Sequence, residues 1–71
     1  MRKELLEASR LHYESHIHKH RMNVEVMLNN PTAIHDHSDI MDAIEKEVAQ
    51  IAEYMDKVEV LDKFFKKVKE K

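Results

Sequence analysis

The sequence predicts an all-α protein, an antiparallel two-helix hairpin that assembles into a helical homo-oligomer. Three observations lead there. The 71 residues contain no glycine and one proline, Pro31. The composition is otherwise dominated by Glu, Lys, Ala, Leu, Val, Ile and Met, a helical mixture. After Pro31, apolar residues recur in steps of three and four, the period of one helix face. At 71 residues the whole chain, 1–71, is one domain.

Helix 1 is expected over about 3–29. Its stripe is Leu6, Tyr13, Ile17, Val24 and Met27 or Leu28, interrupted by Ser9 and His20. Leu5, Leu11 and Val26 lie off it. Asn29-Asn30-Pro31-Thr32 then reads as a turn, because the residue before proline is pushed out of the α region. Asn also tolerates the left-handed conformation that often ends a helix. The connector is placed at 30–38.

Helix 2 is expected over about 39–68. Ser38 or Asp39 is suited to cap its first turn. Asp39, Asp42, Glu45 and Glu47 lie near the positive end of its dipole, and Lys63, Lys66, Lys67, Lys69 and Lys71 near the negative end. Its stripe is Ile40, Ile44, Val48, Ile51, Met55, Val58, Leu61, Phe65 and Val68. A short connector makes the two helices antiparallel. One seam rarely offsets a backbone ordering cost of about 1–2 kcal/mol per residue. Leu5, Leu11, Val26, Val60 and Phe64 stay apolar outside the seam, so burial against further copies is expected.

Composition also excludes classes. With no cysteine there is no disulfide scaffold, zinc finger or thiol nucleophile. Without glycine there is no glycine-rich phosphate loop. The formal charge is −2, from 12 Lys and Arg against 14 Asp and Glu, so charge does not point to duplex DNA. No apolar run reaches the roughly 18 residues of a membrane span, and Met1-Arg2-Lys3-Glu4 opens no signal peptide. Cytoplasmic location follows as an expectation. No Ser-His-Asp spacing, carboxylate pair or nucleotide loop is visible, so binding is expected rather than catalysis, with no cofactor.

Three groups carry candidate chemistry. His12, His16 and His20 fall one turn apart, a spacing at which imidazoles can share a metal. The plainer reading is a polar face meeting solvent, a neighbouring chain or a ligand. A second group, Asn29, Asn30, Thr32, His35, His37 and Ser38, leads into the start of helix 2, where free amides and side-chain donors suit an anion. Asp36 and Asp39 argue instead for a turn and a cap. In the third group, Tyr13 offers a ring to stack on a base, while Arg10, Lys19 and Arg21 offer cations to phosphate. Tyr13 also lies on the apolar stripe, so a core role competes.

The segment Asn23-Val24-Glu25-Val26-Met27-Leu28-Asn29-Asn30-Pro31, with His37-Ser38-Asp39-Ile40, Ile44-Glu45-Lys46-Glu47 and Lys57-Val58-Glu59-Val60-Leu61, resembles phage anti-CBASS sponges. These are small proteins that counter cyclic-oligonucleotide-based antiphage signalling, and a related hairpin occurs in anti-Thoeris sponges. The resemblance covers roughly 20–65. It implies a compact helical oligomer, commonly a hexamer, in an infected bacterial cytoplasm. It also implies shared pockets that hold cyclic di- or trinucleotides without cleaving them, so that the host effector stays inactive. A ring on the base and a cation near the phosphates are implied, and Tyr13 with Lys19 or Arg21 fits those roles. Many members of that family carry Gly where Ala33 and His35 stand here, a departure that bears on ligand choice. The classes left open are a small helical adaptor for a host or virion protein and a His-rich metal-binding bundle held by His12, His16 and His20.

Overall fold

The computed structural model describes residues 1–30 and 37–65, the side chains of 37 and 38 excepted. It contains two helices and a terminal turn: α1, Arg2–Asn29; α2, His37–Val60; and a π-helical turn, Leu61–Phe65. The two helices run antiparallel as a hairpin. His20 meets Glu47, Arg10 meets Asp62, and the Arg2 guanidinium donates to the carbonyl of Phe65 at 2.9 Å. The last contact ties the start of α1 to the end of the chain's return.

Both helices are long enough to propagate, and neither has a proline inside it. At the end of α1, the N–H of Asn30 donates to the carbonyl of Val26 at 2.9 Å. Asn30 has φ −136°, so the left-handed stop expected of Asn is not used. α2 begins at His37, earlier than the expected 39. Ser38 and Asp39 are therefore first-turn residues, not caps. The expected continuation to 68 is broken by the π-turn after Val60, where one extra residue enters the turn. Residues 66–71, including Val68 and the lysines beyond Lys63, lie outside the described part.

The seam follows a stricter period than the apolar stripes suggest. On α1 the partly covered positions include Leu6, Arg10, Tyr13, Ile17, His20, Val24 and Met27. Opposite them on α2 and the π-turn lie Ile40, Ile44, Glu47, Ile51, Tyr54, Val58 and Leu61. Both sets advance in alternating steps of four and three, the heptad rule of a left-handed supercoil. His20, an interruption of the apolar stripe, is the one buried residue among those described, at 9% exposure. No apolar side chain there is fully buried.

Coverage is uneven on the two sides of this seam. Ser9, His16 and Asn23, each seven residues apart, flank it on α1; Ala43, Gln50 and Lys57 do so on α2; all six are half-buried. The opposite flank of α2 is Met41, Val48 and Met55, and all three are exposed. This corrects the expected seam, which included Val48, Met55 and Phe65. α1 leaves this edge of the stripe uncovered. Leu28 is also exposed, so Met27 is the seam residue of that pair. Leu5, Leu11, Val26, Val60 and Phe64 are exposed, as expected for residues off the seam.

Candidate functional site

Two clusters occupy the middle of the hairpin. The first is a polar layer. His20 Nδ1 lies 2.6 Å from Glu47 Oε1, and the Asn23 side-chain amide donates to the same oxygen at 3.0 Å. The Asn23 hydrogen bond, followed by that from His20, holds the Glu47 carboxyl below its ordinary range. Glu47 is thus an acceptor, and His20 carries its proton on Nδ1. A paired polar layer in an apolar seam disfavours slipped registers, since any slip leaves buried polar atoms unpaired.

The second cluster is aromatic. The His16 ring lies parallel to Tyr54, 4.5 Å between centroids and 5° between planes. Tyr13 is 6.1 Å from Tyr54, tilted by 40°. His12 meets His16 edge-on at 4.7 Å. The Lys57 ammonium sits 4.5 Å from the centroid of the Tyr54 ring, a cation–π distance, and ion-pairs with Glu53 at 3.1 Å. Partial burial lowers the His16 pKa, assisted by electrostatic repulsion from the neighbouring His12, Lys19, His20 and Lys57. His16 therefore favours the neutral imidazole. The heptad step that places Tyr54 in the seam also places His16 and Lys57 together on its covered flank.

The sequence-predicted site residues divide accordingly. Tyr13 and His20 are both in the seam, and Tyr13 packs toward Tyr54 rather than presenting an open face. Arg10 is already neutralised by Glu14 at 3.1 Å and by Asp62. Lys19 is exposed, three residues along α1 from His16, and acts on His16 electrostatically. Arg21, five residues from His16, is turned away by ~140° at 3.6 residues per turn. Lys19 and Arg21 thus do not share one face. Asn30 is exposed at the far end of α1. Thr32 and His35 lie outside the described residues, as do the side chains of His37 and Ser38. The connector group therefore stays a sequence expectation.

The metal alternative meets a geometric objection. Among the described residues, no three His, Asp or Glu side chains are arranged to hold an ion. The His16 and His20 rings lie stacked, 6.3 Å apart, and Nδ1 of His20 is committed to Glu47.

Tyr54, Lys57, Glu47 and Asn23 were missed as site residues. For Glu47 and Tyr54 the signal was the second regular path through α2, Ile44, Glu47, Ile51, Tyr54 and Val58, while Asn23 and Lys57 flank the seam it defines. That path is hidden because two of its members are polar or amphipathic. Among the described residues, no helix is long and apolar enough to cross a membrane. Comparison with protein-family models, with curated proteins and with solved structures finds no match to this chain.

Proposed function

We propose that the hairpin is a binding protein for cyclic di- or trinucleotides, which it sequesters without cleaving in a self-associated form. By holding the messenger it keeps the host effector inactive, the role of a phage immune-evasion protein. The observation that supports this reading is the His16–Tyr54 stack, bordered by His12, Lys57 and Lys19. A nucleobase needs a flat partner, and base–aromatic stacking contributes about 1–3 kcal/mol per base. A phosphate needs a cation or a donor close by. This face offers both within one turn of helix.

The contact set shifts with the geometry. Tyr13 supports Tyr54 from the seam side, and Arg10 is engaged elsewhere, so the ligand-facing groups are His12, His16, Lys19 and Lys57. The groove that the described residues do form, lined by Arg2, Leu6, Arg10 and Leu61 among others, lies away from His16 and Tyr54, so a second copy would have to close the site. Two-fold pairing would match a cyclic dinucleotide, with two bases and two phosphates.

The test is calorimetric titration of tag-free protein with a panel of cyclic di- and trinucleotides. Saturable sub-micromolar binding is expected, with intact ligand recovered on denaturation. His16→Ala is expected to weaken binding at least tenfold with helix content unchanged. Tyr13→Phe, which keeps the ring, is expected to bind as the parent does. No binding across the panel overturns the reading, as does recovery of a linearised nucleotide.

A further inference from the structure

α2 carries an apolar stripe wider than α1 covers. Met41, Val48 and Met55 form its outer edge, 70%, 49% and 56% exposed. They are seven residues apart, and Ile44 and Ile51, half-buried, join them to the seam. We propose that this side of α2 is a subunit interface. A second copy of the chain packs on it antiparallel, α2 against α2, with Val48 at the two-fold axis.

Area is the first argument. A compact monomer of 8.5 kDa exposes about 4,700 Å², whereas this chain exposes 5855 Å². The excess is about 1,200 Å², more than the roughly 800 Å² that each partner loses in a standard interface.

Symmetry is the second argument. A two-fold contact needs a self-complementary patch. The order Met41, Val48, Met55 reads the same in both directions about Val48. Across the axis, Met41 meets Met55 of the partner subunit, and Ile44 meets Ala52 of the partner subunit. Met side chains suit such a contact because they adapt to irregular gaps.

Charge selects the direction. A parallel pair would set Asp39, Asp42 and Glu45 beside their own copies and align the helix dipoles. The antiparallel pair opposes the dipoles instead and separates each acidic turn from its own copy. A single charge at Val48 is placed twice at the axis, so the contact is sensitive there. The surface differs from the Leu5, Leu11 and Val26 positions that the sequence suggested for self-association. It supplies a contact for the self-association invoked in the proposed function but needs no nucleotide.

The experiment is sedimentation equilibrium across a concentration series, without ligand, with helix content followed in parallel. The parent chain is expected to self-associate, and V48E to sediment as a monomer with its helix retained. The milder pair M41Q/M55Q is expected to weaken association at least tenfold without introducing charge, which covers the case in which V48E fails to fold. L11E, on the outer face of α1, is expected to associate as the parent does. A spin label at Lys63→Cys is expected about 45 Å from its copy, from fifteen residues at 1.5 Å on each side of the axis. A monomeric parent overturns the proposal and leaves the face to a different protein. It is equally overturned if both stripe variants keep the parent mass, if L11E dissociates in their place, or if the labels lie near 10 Å as in a parallel pair. Because no nucleotide is present, these results stand apart from the titration above.

Discussion

The polar layer of His20, Asn23 and Glu47 gives the sharpest energetic prediction. The perturbations are His20→Leu, Glu47→Leu and the two combined. Glu47→Leu removes a carboxylate that accepts two hydrogen bonds, at 2.6 and 3.0 Å. It leaves His20 and Asn23 in the seam with no acceptor. Hydrogen bonds to a charged group contribute about 1.5–3 kcal/mol each. The Glu47 side chain keeps 21% exposure and His20 keeps 11%, so water restores part of the loss. Each single variant is therefore expected to cost about 1.5–3 kcal/mol in total. For a domain of this size that lowers the Tm by roughly 6–24 °C. The double variant replaces the His20–Glu47 pair with apolar groups and leaves only the half-buried Asn23 amide to pair with water, so it is expected within about 1 kcal/mol of the parent. The assay is chemical and thermal unfolding followed by circular dichroism at one fixed chain concentration, since association shifts apparent stability. The implied coupling is about 2 kcal/mol or more. Additive single costs, with the double variant the least stable of the three, would refute the reasoning.

Further expectations follow from the same contacts. The Glu47 carboxyl has a lowered pKa in the folded chain, so its stabilisation is complete above the unfolded carboxyl value and is lost as pH falls through the folded one. His16 is also lowered, so folding resists its protonation, and stability falls as pH drops below about 6.5. A Tm that declines from pH 7 toward pH 4 is the expected profile, and a Tm that rises toward acid contradicts it. Ile51→Ala removes a half-buried side chain and is expected to cost about 1–2 kcal/mol, below the fully buried range, checked by urea unfolding. Arg10→Ala breaks pairs with Glu14 and Asp62 that sit at a solvent-exposed edge, so a loss of no more than about 1 kcal/mol is expected, screened by added salt.

How far the sequence alone carried the description depends on the residue. Pro31 and the absence of glycine pointed to two helices, which the structure contains. The end of α1 at Asn29 follows from backbone restrictions that act locally, so it was legible. The His12–His16–His20 row was legible too, because spacing on one helix requires no partner. Which face of α2 meets α1 was not. Two regular paths run through its sequence, Ile44–Val48–Ile51–Met55 and Ile44–Glu47–Ile51–Tyr54. Hydrophobicity favours the first, yet α1 takes the second, because the acceptors of Glu47 satisfy His20 and Asn23 on the facing helix. Pairing across the seam is a property of two helices together, and no periodicity within one of them reports it. The pairing of His16 with Tyr54 has the same origin, since the two residues are 38 positions apart in the chain and meet only through the antiparallel register. Local rules of backbone and period therefore determined the elements, while the polar layer determined how they are set against each other and what was left uncovered.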